Sequence, residues 1–166
     1  MSDMQLSDVT TLRARARQNV EKGAVTESYS ADREQVLRLL NESLATELVC
    51  VLRYKRHYFM ASGLKAHAAA DEFLEHAQQE AEHADRLAER IVQLGGEPEF
   101  NPDLLSKMSH AQYVAGNTLK EMVYEDLVAE RIAIDSYREI IQYIGEKDPT
   151  TRRIFEDILA QEEEHA

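Results

Sequence analysis

The chain has 166 residues, with 43% hydrophobic and 30% charged side chains and a formal net charge of −12. This length suits one domain with a sizeable core, and the acidic balance argues against a strong nucleic-acid-binding surface. The single cysteine, Cys50, excludes an internal disulfide framework and a CxxC motif, and we expect it to be a small buried hydrophobe. No apolar run approaches about 18 residues, and the N-terminus MSDMQLSDVT lacks the apolar core of a signal peptide, so we expect a cytoplasmic protein that does not span a membrane.

The N-terminal segment differs from the rest of the chain. In residues 1–30 acidic and basic side chains balance, and the cluster Arg13–Arg17 is interpreted as a solvated helix face, so we expect an extension that forms a short helix or a loose arm. Residues 31–166 carry apolar stripes at spacings of three and four, which predict one domain of long amphipathic helices. On the third of these helices the inward stripe is expected to include Val123 and Leu127.

Capping and breaking residues delimit the first two helices of the domain. Helix A is expected to begin near Ser30, a good N-cap, with Asp32 in its first turn. It is expected to run to about residue 61 and to break at Gly63. Helix B is expected over about 65–94, where Gly95-Gly96 ends it.

The last two helices follow a long connection. Helix C is expected over about 117–144, and helix D opens at Asp148-Pro149, a cap followed by a proline at the first helical position. Segment 95–116 is long enough to cross the length of a bundle and to carry a short helix around Asp103–His110. The A–B and C–D turns are short, so the predicted fold is all-α, an antiparallel four-helix bundle with a long B–C crossover.

The motif Glu-x-x-His occurs twice, at Glu80–His83 and at Glu162–His165. Each copy is preceded by a helix with a lone glutamate in its apolar stripe, Glu47 on helix A and Glu130 on helix C. Because Glu and His three residues apart share one helix face, both can bind one metal ion. Four carboxylates and two imidazoles on four helices therefore predict a di-iron or di-manganese site, in which two divalent cations balance four carboxylate charges.

The two halves of the chain repeat the order Glu, Tyr, Glu-x-x-His, which predicts a pseudo-twofold site. Tyr54 and Tyr137 each lie seven residues after the lone glutamate of their half. Their hydroxyls are expected to hold a carboxylate ligand, with simple core packing as the alternative. Asp126, one turn before Glu130, is a candidate partner for a ligating histidine, with a solvated charge as the alternative.

The other four histidines lie outside the two Glu-x-x-His motifs. His76 lies one turn before Glu80, and a role in the site stays open for it. His57, His67 and His110 are expected on the surface or in loops.

At these residues the chain resembles a known family, the bacterioferritins and the Dps-like proteins with a bacterioferritin-type centre, within the ferritin-like superfamily. The segments that carry the resemblance are ELVCVLRY (Glu47–Tyr54), EAEHADRLAERIVQLGGEPEFNP (Glu80–Pro102), EDLVAERI (Glu125–Ile132) and AQEEEHA (Ala160–Ala166). The resemblance covers about residues 34–166 and implies a ferritin-like antiparallel four-helix bundle.

The resemblance also implies roles and an activity. The site residues would be two terminal ligands, two bridging ligands and one histidine for each metal: Glu47 and Glu130, Glu80 and Glu162, His83 and His165. The implied function is that of a ferroxidase for iron storage and detoxification, in which O2 or H2O2 oxidises Fe(II) at two iron positions in each subunit of a homo-oligomeric cage. Manganese or zinc could occupy the same ligands.

The chain departs from the family pattern in three places. Ala81 stands where bacterioferritins have the methionine that binds haem, so no haem is expected. The N-terminus is extended and the B–C connection is longer. The sequence stops one residue after His165, without the short final helix of twenty-four-subunit cages, which favours a twelve-subunit shell or a natural chain that continues.

Two other functions remain as alternatives. A rubrerythrin-like peroxidase would use the same site, although the chain has no CxxC pair for a rubredoxin iron. An acidic helical interaction module would make the Glu-x-x-His motifs accidental. Metal content, and oxygen consumption after Fe(II) is added, distinguish the three.

Overall fold

A computed structural model describes residues 6–166, and every regular element in that part of the chain is a helix. The helices, in chain order, are α1 (Val9–Ala16), a 3-10 turn (Val20–Lys22), α2 (Arg33–Gly63), α3 (His67–Gln93), α4 (Pro102–Met108), α5 (Leu119–Ile144) and α6 (Pro149–His165). Among these helices, none combines the length and apolar character needed to cross a membrane.

The four long helices pack as two hairpins. α2 lies along α3, α5 lies along α6, and contacts of α2 with α5 and of α3 with α6 join the hairpins. The short turns 64–66 and 145–148 make each pair antiparallel. The crossover 94–118 carries α4, which packs against α2. The predicted all-α bundle with a long crossover is confirmed.

The start of α2 differs from the predicted one, and its end agrees with the prediction. Its N-cap is Asp32, whose carboxylate accepts a hydrogen bond from the Gln35 N–H at 3.1 Å, so the predicted start at Ser30 is wrong by two residues. The helix ends at Gly63, where the sequence predicted a break, and the chain reverses at Lys65, which has a φ of 59°. The N–H of Ala66 then donates to the Ala61 carbonyl at 3.0 Å, which completes a Schellman motif without a glycine.

The later helix ends follow the sequence signals closely. α3 ends before Gly95, which has a φ of 71°, and a Cβ on Gly96 would lie 2.5 Å from Leu37 Cδ2, so the chain needs both glycines there. α5 begins with a capping box between Thr118 and Glu121. α6 begins at Pro149 as predicted.

Buried apolar side chains from all four long helices form the core, and the N-terminal segment contributes at its edge. Val25, Tyr29 and Ala31 pack against this core, and the Tyr29 hydroxyl donates a hydrogen bond to Asp148 Oδ2 at 2.9 Å. Arg90 donates to both carboxylate oxygens of Asp148, at 2.9 and 3.2 Å. The end of the predicted extension is therefore attached to the start of α6.

The inward face of α5 differs from the predicted stripe in its first turns. Val123 and Leu127 are 40% and 39% exposed, whereas Met122, Asp126 and Ala129 are buried. The stripe is displaced because a buried charged residue, Asp126, occupies the inward face.

Candidate metal centre

Six side chains from the four long helices meet inside the bundle. They are the six ligands that the sequence predicts: Glu47 on α2, Glu80 and His83 on α3, Glu130 on α5, Glu162 and His165 on α6. The four glutamates and His83 are each at most 3% exposed. The side chains form two groups of four, each with ligand atoms within 4.8 Å of one another, and Glu80 and Glu162 belong to both groups. Such an arrangement can hold two cations side by side.

The first group surrounds His83. Its Nδ1 lies 3.0 Å from Glu162 Oε1, 3.3 Å from Glu47 Oε2 and 3.9 Å from Glu80 Oε2. One imidazole nitrogen and three carboxylates thus point to a common position.

The second group surrounds His165. Its Nδ1 lies 3.6 Å from Glu130 Oε2 and 3.8 Å from Glu80 Oε1. The two oxygens of Glu80 therefore face different histidines, which is the geometry that a bridging carboxylate needs.

The tyrosine hydroxyls contact carboxylates across the halves. Tyr54 on α2 donates to Glu130 Oε1 on α5, and Tyr137 on α5 donates to Glu47 Oε1 on α2. Both tyrosines are at most 1% exposed. Each half of the chain thus orients the lone glutamate of the other half.

Two glutamines that the sequence reasoning missed hold the histidines in the same crossed way. His165 Nε2 lies 2.6 Å from Gln79 Oε1, and His83 Nε2 lies 2.7 Å from Gln161 Oε1. When the Nε2–H donates to the glutamine, the lone pair of Nδ1 faces the centre and can bind a metal. Each glutamine directly precedes the glutamate of a Glu-x-x-His motif, so the repeated pattern Gln-Glu-x-x-His could have identified both glutamines from the sequence.

Three of the side chains retain protons. Burial, and then the nearby charge of Glu47, raise the pKa of Glu80 well above its usual value and that of Glu162 to about 10. Burial opposes the charge of His83, but its contacts with Glu162 and Glu47 outweigh burial and raise its pKa. A cation that binds these groups must displace their protons.

The two lone glutamates are ionised instead. Burial disfavours the charge of Glu47, but hydrogen bonds from Glu80 and His83 outweigh it and lower the pKa of Glu47. Burial likewise opposes the charge of Glu130, but the adjacent His165 outweighs it and lowers the pKa of Glu130 to about 2. Each half therefore pairs one ionised carboxylate with one protonated carboxyl group.

The donor atoms of the centre fit divalent metal ions. Within residues 6–166, the buried Glu130 Oε2 and His165 Nδ1 have no hydrogen-bond partner, although they lie 3.6 Å apart. Unpaired buried polar atoms cost free energy, and a cation between them would satisfy both. Carboxylate oxygens with two imidazole nitrogens suit Fe(II) and Mn(II), and imidazole also suits Zn(II).

Asp126 contacts other partners than the predicted one. Its carboxylate accepts from Arg53 Nε at 2.8 Å and contacts His57 Nδ1 at 2.8 Å, so its expected pairing with a ligating histidine is wrong. Arg53 also donates to the Gln112 carbonyl at 3.0 Å, and His57 Nε2 lies 3.0 Å from the Ala115 carbonyl. The buried Arg53–Asp126–His57 network fastens the crossover to α2.

Of the three histidines that were expected on the surface or in loops, one lies in the core instead. His57 is fully buried, so its predicted surface or loop position is wrong. The network with Asp126 explains this, because a buried charge needs a partner. His67 is exposed at the start of α3, and His110 is half-buried in the crossover, as expected.

His76 lies at the edge of the centre. Its ring stacks on that of His165, with centroids 4.1 Å apart and an interplanar angle of 20°. His76 Nδ1 lies 3.2 Å from the Tyr54 hydroxyl. The structure thus brings His76 to the centre, the possibility that the sequence left open.

Comparison with known proteins identifies the family. A family model described as a ferritin-like domain matches residues 37–166. The chain belongs to the ferritin-like family. It is 33% identical to the bacterioferritin of Mycobacterium avium over 136 residues, which covers 79% of each chain. It is 31% identical to that of Streptomyces coelicolor over 136 residues, covering 79% of this chain and 75% of the relative. The predicted resemblance to bacterioferritins is confirmed.

Solved structures share the fold of this ferritin-like chain. One is a dodecameric thioferritin, the bacterioferritin-related protein of Bacteroides fragilis, with a TM-score of 0.76, 31% identity and coverage of 81% of each chain. Another is Dps from Thermosynechococcus elongatus, with a TM-score of 0.75 and 24% identity, covering 80% of this chain and 85% of the other. The second match shows the fold alone.

Proposed function

We propose that this chain is a ferroxidase that binds two Fe(II) ions in each subunit and passes their electrons to O2 or H2O2. The observation that supports this function best is the sharing of Glu80 and Glu162 between the two ligand groups, since bridging carboxylates hold two metals close together. Two Fe(II) ions supply two electrons, which with two protons reduce O2 to H2O2, or reduce H2O2 to two water molecules.

The residues of the chain contribute geometry and charge. Carboxylates are hard ligands that suit both iron oxidation states, and the crossed contacts of Tyr54, Tyr137, Gln79 and Gln161 fix the directions of the ligands before metal binds. Protons from Glu80, Glu162 and His83 leave as Fe(II) binds, so the charge in the buried centre stays near balance.

We further propose that the chain assembles into a homo-oligomeric shell that stores the ferric product, with twelve subunits favoured. The named bacterioferritin relatives and the dodecameric neighbour support this assembly. α2 also presents large exposed apolar side chains that a subunit contact could cover, including Leu52 at 56% and Phe59 at 68% exposure. Light scattering that reports a monomer or dimer at micromolar concentration would contradict the shell and leave a small soluble ferroxidase.

The ferroxidase assignment is tested by anaerobic Fe(II) binding followed by oxygen consumption. We expect two Fe(II) ions per subunit in the wild type, and loss of rapid oxidation in Glu80→Ala and in Glu162→Ala, because each change removes a carboxylate shared by both metals. Glu82→Ala is the matched control, since Glu82 is an exposed glutamate on the same helix as Glu80. Wild-type oxidation rates in both bridging variants would remove the assignment. A parallel measurement with H2O2 shows which oxidant is preferred.

A further inference from the structure

The pseudo-twofold repeat of the centre fails at one position. His76 lies four residues before Glu80, and the residue four before Glu162 is Ile158. Ile158 is fully buried in the main core cluster, whereas His76 is half-buried. The neighbouring positions still match, because Phe73 packs near Tyr54 and Phe155 packs near Tyr137. The substitution of His for Ile is therefore a local difference between otherwise equivalent halves.

A small cavity of about 120 Å³ opens beside His76, between α3 and α5. Its outer rim includes the exposed Glu72 and the partly exposed Val123 and Leu127, and its base is formed by Glu130 and His165. Because a water molecule needs only about 10–15 Å³ by a comparable measure, the cavity has room for a partly hydrated cation. It connects the surface of the subunit with the ligand groups.

Three side chains at the base of this cavity meet in ligand geometry. His76, Glu130 and His165 offer atoms within 4.8 Å of one another, in addition to the two inner groups. Glu130 Oε2 and His165 Nδ1 are among the buried side-chain atoms that lack a hydrogen-bond partner within the described residues.

We propose that His76, Glu130 and His165 form an outer binding position for a divalent cation, through which Fe(II) passes from the cavity to the inner centre. Glu130 and His165 also belong to the inner groups, so an ion can move inward by exchanging His76 for Glu80 and Glu162 while it keeps two ligands. The outer position offers fewer carboxylates than the inner one, which favours inward transfer. This inference rests on the proposed dinuclear centre.

The test follows the filling of the centre with Co(II) alone, under anaerobic conditions, by stopped-flow absorbance. We expect His76→Gln to bind two Co(II) ions per subunit as the wild type does, but to fill about tenfold more slowly, as is typical when a group that supports a metal site is lost. His76→Glu restores a ligand and should fill at close to the wild-type rate. His67→Gln changes an exposed histidine on the same helix and should have no effect.

The outcomes separate the inference from the function on which it rests. The outer position would be overturned if the centre of His76→Gln filled at the wild-type rate. It would also be overturned if His76→Glu filled as slowly as His76→Gln, since ligation by residue 76 would then be irrelevant. A loss of bound Co(II) at equilibrium in His76→Gln would also overturn it, because His76 would then belong to the inner centre. Failure of the wild type to bind two Co(II) ions would instead refute the dinuclear centre itself.

Discussion

The α2–α3 half and the α5–α6 half of the bundle present the same ligands to the centre but differ in access. Each half supplies a lone glutamate, a Glu-x-x-His motif, a tyrosine and a glutamine, and the tyrosine and glutamine of each half act on ligands of the other. His76 of the α2–α3 half borders the cavity between α3 and α5, whereas Ile158, at the equivalent position of the α5–α6 half, is buried in the core. The proposed binding of two metals would require both halves, but access needs an opening beside only one of these two equivalent positions.

The two halves also differ in their contacts with the crossover. On α2, Arg53, Arg56 and His57 hydrogen-bond carbonyls of the crossover between residues 112 and 116. The position of α5 that corresponds to Arg53 in the repeat is Ser136, and the one that corresponds to His57 is Ile140. Arg53 and His57 of α2, together with Asp126 of α5, thus form a buried charge network that holds the crossover in place. The equivalent positions of α5 have no such contacts, since Ile140 is buried in the apolar core.

The largest effect is expected when the residues that distinguish the two halves are exchanged. Ile158→His places a polar ring without a designed partner in the core and should lower the free energy of unfolding by about 2–4 kcal/mol. His76→Ile removes a half-buried histidine and should change it by less than about 1 kcal/mol. Denaturant unfolding measures both. Equal costs would show that the two positions are not distinct environments.

The crossed tyrosine contacts predict an equal effect in both halves. Tyr54→Phe and Tyr137→Phe each remove a hydroxyl that holds a glutamate ligand, and each should weaken Mn(II) binding by about 10–100-fold. Anaerobic calorimetry with Mn(II) measures the change. Tyr143→Phe alters a tyrosine on α5 that is 52% exposed and should leave the affinity unchanged. An effect confined to one of the two buried tyrosines would contradict the pseudo-twofold arrangement.

A smaller change in the stability of the metal-free protein is expected when the pH changes. Glu80, Glu162 and His83 have raised pKa values, so at neutral pH the metal-free folded chain keeps protons that the unfolded chain loses above the usual values of 4.5 and 6.5. The stability of the metal-free protein should therefore fall as pH rises from 6 to 8. The lowered pKa values of Glu47 and Glu130 stabilise the fold above 4.5 and contribute no change in that window.

Metal binding should show the opposite trend, because a cation displaces those protons more easily at higher pH. The increase in Tm on anaerobic addition of Mn(II) should be larger at pH 8 than at pH 6. An increase that is equal at both values, or smaller at pH 8, would mean that the ligands do not hold protons in the folded chain.

The sequence allowed the convergence of the six ligands to be predicted because it depends on helical periodicity. A residue three or four positions from another lies on the same face, so the inward position of Glu47, Glu80, Glu130 and Glu162 follows from the apolar residues around them. The ends of α3 and α6 were predictable for a similar reason, because Gly95 and Pro149 restrict the backbone locally.

The features that were not predicted depend on contacts between distant segments. Burial of Arg53, His57 and Asp126 requires the crossover to pass beside α2, and the crossover has no periodicity that would show its path. The exposure of Val123 and Leu127 follows from that network, because Asp126 takes the inward face of α5. The role of Gln79 was not predicted, because a glutamine beside a glutamate is typical of a solvated helix face.

The proposed function requires above all that two cations lie between the two halves, bridged by Glu80 and Glu162. Anomalous diffraction at the iron edge, from crystals soaked anaerobically in Fe(II), locates them directly. We expect two iron peaks about 3.5–4 Å apart, one beside His83 Nδ1 and one beside His165 Nδ1, with Glu80 and Glu162 contacting both. Iron found only on the acidic surface, or a single ion that leaves one histidine without metal, would contradict the proposed function.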